Sequence, residues 1–298
     1  MRSQEDQVWY HVDVNSAYLS WTAAYRVCIL GEDLDLRDIP SVIGGSEAER
    51  HGIVLAKSGS AKRYGIRTGE TLAEARCKCP GLVIVPPDYS LYVSCSKALV
   101  ELLKKYFPHV HQYSIDEAFC RVEGTKGLWG THTAFAHQLK EEIRRELGFT
   151  VNIGVSDCKL LAKMASEFQK PDQVHTLFTR EIERKMWPLP VSDLFWVGPA
   201  TVRKLGALGI RTIGELAVMD LELLKRHLKK QGEFIWNYAN GRDVSPFLRE
   251  LPRNKGYGNS MTTPFDVTDR ETAWQVILSL TETVCARLRA DGMEAACV

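Results

Sequence analysis

Two adjacent carboxylates, Asp116 and Glu117, lie in the run Gln112-Tyr113-Ser114-Ile115-Asp116-Glu117-Ala118-Phe119, which reads as a strand and its turn between apolar neighbours. Folding alone has no use for paired acids there, because a buried charge is unfavourable unless it is paired or binds a metal. A second acid-bearing strand lies near the N-terminus. Val8-Trp9-Tyr10-His11-Val12-Asp13-Val14 is an apolar strand with one carboxylate, and Asn15-Ser16-Ala17-Tyr18 follows as a helix start. Asp13 is also of a type that caps helices. Asn15 and Ser16 already supply that function, so Asp13 is free for other work.

Three carboxylates on two strands suit a hard divalent cation such as Mg²⁺, which takes oxygen ligands from a few acids plus substrate phosphates. Two such ions about 3.5–4 Å apart promote in-line phosphoryl transfer. Asp13, Asp116 and Glu117 are the candidate ligands.

The segments around Asp13 and Ser114-Ile115-Asp116-Glu117-Ala118 resemble the metal-binding motifs of Y-family, DinB/UmuC-type translesion DNA polymerases, similar to DNA polymerase IV. Further motifs follow in the family's order along nearly the whole chain. The resemblance implies an α+β fold of right-hand architecture. The palm would comprise 1–17 and 84–171, the fingers 18–83, a helix-hairpin-helix thumb 172–248, and the start of a truncated little finger 249–298. It implies two Mg²⁺ ions held by Asp13, Asp116 and Glu117 with the backbone carbonyl of Val14, Ser114 shaping the acid-bearing turn, and Tyr18 as a steric gate against a 2′-hydroxyl. The expected activity is low-fidelity, template-directed DNA synthesis in DNA repair and damage tolerance, on primer-template DNA with deoxynucleoside triphosphates. The alternative is a non-catalytic or partner-dependent DNA-binding remnant. A nucleotide cyclase, another palm-type enzyme, is disfavoured by the thumb motif.

Composition agrees. The chain has 298 residues, 45% of them hydrophobic, enough for about two domains. No apolar run approaches the roughly 20 residues of a membrane span, and Met1-Arg2-Ser3-Gln4-Glu5-Asp6-Gln7 is no secretory signal. A cytoplasmic monomer is expected. The eight cysteines lack the C-x-x-C spacing of a zinc site, so reduced thiols are expected.

Lys57-Ser58-Gly59-Ser60-Ala61-Lys62-Arg63 joins flexible backbone to cations, a pattern that can cradle a triphosphate or line a solvated helix. The resemblance favours the first through Lys62 and Arg63. Where the family has Tyr and Arg three residues apart, this chain has Gly59 and Lys62. Lysine lacks arginine's bidentate fork. In the helix expected over 157–168, capped by Ser156, Lys159 and Lys163 read as a solvated face. Lys170, before Pro171, reads as an outward-reaching residue that the resemblance assigns to the triphosphate. Cys158 stands where the family commonly has Asn. Another helix over about 90–106 carries the apolar stripe Val93, Leu99, Leu102, Leu103 and Tyr106.

Leu194-Phe195-Trp196-Val197-Gly198-Pro199-Ala200-Thr201-Val202-Arg203-Lys204-Leu205 has the form of a helix-hairpin-helix, though a plain helical hairpin would read similarly. Exposed N–H groups at such a turn suit DNA phosphate without reading sequence. Gly198, Ala200, Arg203 and Lys204 are the candidate contacts. Residues 201–255 hold eleven basic against six acidic residues, although the chain's net charge is only +1. Residues 255–261 resemble the first strand of a little finger and 269–289 its first helix, and no clamp-binding peptide is visible.

Overall fold

The computed structural model describes residues 7–46, 52–123, 130–243, 254 and 256–297. Of the basic stretch expected to meet DNA, Arg249, Glu250, Arg253 and Lys255 fall outside the described residues. In chain order the elements are β1 (Gln7–Val14), α1 (Ala17–Cys28), β2 (Ser41–Gly44), β3 (Val54–Lys57), α2 (Gly59–Arg63), α3 (Leu72–Lys78) and β4 (Val83–Val85). There follow α4 (Tyr89–Lys104), β5 (His109–Gln112), β6 (Glu117–Glu123), α5 (His132–Leu147), β7 (Val151–Ser156), α6 (Lys159–Glu167) and β8 (Val174–Thr176). Helices complete the chain: α7 (Ile182–Lys185), α8 (Pro199–Ala207), α9 (Ile213–Val218), α10 (Leu221–Leu228), α11 (Lys230–Ala239) and α12 (Arg270–Ala290). The fold is α+β, in two compact units: residues 1–35 with 88–244, and residues 36–87 with 245–298.

The first unit is built on a five-stranded sheet of order β5-β6-β1-β7-β8, in which β1 pairs antiparallel with both β6 and β7. Alternation along β1 sends Tyr10, Val12 and Val14 into one core, with Leu99, Leu103, Phe135, Leu139 and Ile143 from α4 and α5. Trp9, His11 and Asp13 therefore share the opposite face, which α6 covers. The other side of α6 closes a helical core, where Leu160, Leu161 and Met164 join Leu194, Leu205, Leu216 and Ile235.

The approach of α6 to the sheet depends on Gly154 of β7. A Cβ added there would collide with the backbone of Ala162 and Ser166. Helix and strand can sit this close because one residue at the contact has no side chain.

Several local expectations change. Ser16 adopts a left-handed conformation and makes no side-chain cap, while Asn15 turns its side chain to Asn152, Thr150 and Asp172 instead. Cys158, not Ser156, occupies the N-cap of α6 and makes no side-chain cap, while the Ser156 hydroxyl donates to the Leu177 carbonyl and accepts from the Cys158 N–H. On α4, Val93 is exposed and Tyr92 is buried, one position round the helix. Gly148 ends α5 in the left-handed conformation expected of a glycine C-cap (φ 74°).

In the second unit, strands β3-β2-β4 form a three-stranded sheet over Val42, Val54, Ile66 and Leu72. No strand forms over residues 256–261, because no described strand lies beside it to accept its backbone hydrogen bonds. Helix α12 buries none of its residues and exposes Trp274, Ile277 and Leu278. None of the eight cysteines forms a disulfide among the described residues.

If the Gly154 contact sets the α6–sheet distance, Gly154→Ala should destabilise the protein by on the order of 3 kcal/mol, since the clash is with backbone that cannot rotate away. Chemical denaturation checks this. A midpoint equal to the parent's would contradict it.

Candidate active site

The β1–β6 register sets Asp13 directly opposite Glu117. The same pairing continues into the turn, where the Val14 N–H donates to the Asp116 carbonyl at 3.1 Å. The turn is closed by the N–H groups of Tyr113 and Ser114, both donating to the Glu117 carbonyl, and the Ser114 hydroxyl donates to Asp116 Oδ1 at 2.6 Å. Asp13 and Glu117 are thus held by backbone pairing, and Ser114 holds the carboxylate of Asp116 in the turn before β6.

Two lysines come from α6 and the loop beyond it. Lys163 Nζ donates to Glu117 Oε1 at 2.8 Å. Lys170 Nζ donates to Asp13 Oδ2 at 2.6 Å and to Glu167 Oε1 at 2.8 Å. Lys163 also lies 5.3 Å from the Tyr113 ring and 5.2 Å from the Phe195 ring. Lys159 rests over Trp9 at 4.7 Å. Neither Lys159 nor Lys163 lines a solvated face, as their helical spacing suggested; both are buried, because the face of β1 that meets α6 carries acids and aromatic rings. Lys170 stays exposed, as its place before Pro171 suggested, while its Nζ reaches the buried Asp13.

Its loop is fastened by two asparagines. Asn15 Nδ2 donates to Asn152 Oδ1 at 3.0 Å, and Asn15 Oδ1 accepts from the Asp172 N–H at 2.9 Å. Asn152 Nδ2 donates to the carbonyls of Ser166 (3.0 Å) and Gln169 (2.7 Å). Asn152 is the β7 partner of Asp13, so one pair of amides ties the end of α6 to the strand bearing the acid.

Electrostatics divide the acids. Burial, reinforced by the nearby carboxylates of Glu167 and Glu117, pushes Asp13 up to about 7 despite Lys170. Burial acts the same way on Glu117, but the nearby His11 ring and the ammonium of Lys163 outweigh it and hold that acid at about 2. For Lys170, the two acids overcome burial and raise its affinity for its proton. Burial lowers His11. Asp13, Glu117 and Glu167 each present a carboxylate oxygen within 4.8 Å of the others. Such a set of hard oxygen donors fits a divalent ion of the Mg²⁺ class.

Tyr18, half-buried at the start of α1, stacks flat on Tyr92 (centroids 4.3 Å apart, planes at 6°) and meets Tyr89 edge-on. Lys62 and Arg63 are exposed on α2 of the second unit, where Arg63 Nη2 donates to Ser60 Oγ at 3.1 Å. Beside them, Gly59 has open space around its missing Cβ. At the start of α8, Gly198, Ala200, Arg203 and Lys204 are all exposed while Leu205 and Ile210 anchor the hairpin inward.

Residues 12–167 match the family described as the impB/mucB/samB family, and residues 254–298 match its C-terminal domain. DNA polymerase IV of Clostridium acetobutylicum is 50% identical over 284 residues, 95% of this chain and 71% of that protein. A solved structure of a Y-family DNA polymerase chimera superposes with a TM-score of 0.77 at 21% identity, over 95% of this chain and 80% of that one. The chain belongs to the Y family of DinB-like DNA polymerases. DNA polymerase IV of Acetivibrio thermocellus is a further relative, 40% identical over 97% of this chain and 71% of that protein. Among the described residues of this Y-family polymerase, no helix is long and apolar enough to cross a membrane.

The site of this polymerase contains residues that the sequence reading gave no part in it: Lys163, read as solvated, Glu167, His11, and the pair of Asn15, read as a helix cap, with Asn152. Position offered a signal for the first two, since 163, 167 and 170 fall on one side of a helix followed by a single turn. Nothing in the sequence signalled the asparagines.

One stability consequence follows from Asp13. The folded protein keeps this carboxyl's proton up to about pH 7, whereas an unfolded chain releases it near 3.8, so its stabilising effect is present at low pH and lost as pH rises through about 7. In metal-free buffer, Asp13→Asn should flatten the fall in melting temperature between about pH 5 and 8, leaving the variant about 3 °C or more above the parent at pH 8. Parallel pH profiles for parent and variant would contradict the assignment.

Proposed function

We propose that this polymerase adds deoxynucleotides to a primer 3′-end opposite a template, with the low selectivity of translesion synthesis in DNA damage tolerance and repair. The observation that carries this reading is the cross-strand pairing of Asp13 with Glu117, continued by the hydrogen bond from Val14 to Asp116. Asp13, Asp116 and Glu117, with the Val14 carbonyl, are the residues to hold two Mg²⁺ ions. Bound there, such ions activate an attacking oxygen and neutralise a leaving one in phosphoryl transfer.

The chain's own groups do the rest. The register fixes the separation of Asp13 and Glu117, and Ser114 aims Asp116. Lys170, held between Asp13 and Glu167, is the cation placed to meet a triphosphate once Asp13 is otherwise engaged. Lys62 and Arg63 are further triphosphate contacts, with Gly59 contributing backbone. Tyr18, braced by Tyr92, excludes a 2′-hydroxyl by contact.

Regions 1–17 and 84–171 act as the palm, 18–83 as fingers, 172–248 as the thumb, and 249–298 begin the little finger. In the thumb, the exposed N–H groups at Gly198 and Ala200, with Arg203 and Lys204, bind the DNA backbone without sequence preference. The alternative of a non-catalytic remnant is not favoured, because Asp13, Asp116 and Glu117 are all present in the sequence and the pairing of β1 with β6 brings Asp13 and Glu117 together.

Primer extension with Mg²⁺ and four deoxynucleotides tests the reading: Asp116→Ala and Glu117→Ala should each reduce extension by about a hundredfold or more. Undiminished extension in either variant would contradict it. In the same assay Tyr18→Ala should raise ribonucleotide incorporation by about tenfold or more relative to deoxynucleotide. Unchanged discrimination would remove Tyr18 from the gate.

A further inference from the structure

His11 lies two residues before Asp13, on the same face of β1, and is completely buried. Its Nδ1 is 2.8 Å from the Ser166 hydroxyl. Its Nε2 has no hydrogen-bond partner among the described residues and faces Glu117 Oε2 at 3.8 Å. A buried ring nitrogen without a partner is uncommon and calls for a reason. The ring is set from two other sides: the Phe119 ring packs against it with centroids 4.6 Å apart, and its β7 partner is Gly154, whose missing side chain lets Ser166 of α6 reach the strand.

We infer that His11 is a positioning residue for Glu117, presenting an Nε2–H to one carboxylate oxygen while Lys163 holds the other. A lone pair facing a carboxylate would be repelled by it, whereas an N–H is attracted. The Ser166 hydroxyl is also 2.8 Å from the Lys163 carbonyl and has one proton to give; the neutral ring carries the Nε2 proton when that hydroxyl turns to Nδ1, and the charged ring carries it while Nδ1 donates to Ser166 and the hydroxyl donates to the Lys163 carbonyl. The role is therefore the same in both forms. At 3.8 Å the pair is longer than a hydrogen bond. The N–H instead disfavours rotamers that swing Oε2 away, so the carboxylate stays oriented between His11 and Lys163. Groups that orient a ligating carboxylate in this way commonly change metal affinity by about 10–100-fold when removed.

This inference rests on the reading of Asp13 and Glu117 as ion ligands, and the test separates the two. Mn²⁺ binding to the full chain, read from the paramagnetic signal of free Mn²⁺, is compared among the parent, His11→Asn, His11→Gln, Ser166→Ala and Asp13→Asn. The asparagine amide can stand in for Nδ1 and the glutamine amide for Nε2. His11→Asn should weaken Mn²⁺ binding by about tenfold or more, and His11→Gln should stay within about threefold of the parent. Ser166→Ala, which frees the ring, should fall between them. Equal binding by the Asn and Gln variants, or tighter binding by Asn, would overturn the inference. Should both His11 variants fail to fold, parent-like binding by Ser166→Ala would overturn it instead. If Asp13→Asn binds Mn²⁺ as the parent does, the ion-site reading itself fails and the inference with it.

Discussion

The close seating of α6 on β1 and β7 is the contact on which the rest of the first unit depends. It is possible because Gly154 has no side chain, and it turns one face of a central strand into the inner wall of a charged cluster. Along that wall, residues 9, 11 and 13 of β1 meet residues 159, 163, 166 and 170: Lys159 over Trp9, Ser166 on His11 and Lys170 on Asp13, while Lys163 reaches Glu117 on the neighbouring strand. A period of two on the strand is matched to a period of 3.6 on the helix. The opposite face of the same strand supplies Tyr10, Val12 and Val14 to an ordinary apolar core, so one strand serves both stability and chemistry.

Charge balance inside the cluster is deliberately incomplete in the physical sense that its members are not equivalent. Glu117 is matched by Lys163 and His11 and stays ionised. Asp13 shares Lys170 with Glu167 and is pulled toward its neutral form by burial. A cation of higher charge density, coordinated by oxygen alone, would satisfy Asp13 better than a shared ammonium does. Lys170 would then be released from Oδ2 yet kept close by Glu167, three residues earlier in the chain.

The acid-bearing strands and the helices α1, α4, α6, α8 and α12 were legible in the sequence because each has a local cause, whereas the pairing of β1 with β6 and β7 was not. Examples of such causes are the apolar run Val8–Val14 and the stripe Leu99, Leu102 and Leu103 of α4. The errors share a different cause. Ser16 and Ser156 are good capping residues by type, but Ser16 takes a left-handed conformation and α6 begins two residues beyond Ser156, at the Cys158 N-cap. Lys159 and Lys163 read as solvated because lysine usually is. Their burial is decided by what lies across the helix–sheet contact, which no local pattern encodes. Val93 and Tyr92 exchanged places through a rotation of one residue, beyond what a short amphipathic stripe can fix.

The account's central claim is that the wall formed by β1, β6 and α6 is an ion site whose lysines yield to the ion. Its most direct test is a crystal structure of the full chain with Mn²⁺, primer-template DNA and a non-hydrolysable deoxynucleotide, read by anomalous scattering. The account predicts peaks between the carboxylates of Asp13 and Glu117, with Lys170 Nζ withdrawn from Asp13 toward the triphosphate. Anomalous peaks elsewhere, with Lys170 still bound to Asp13, would contradict it.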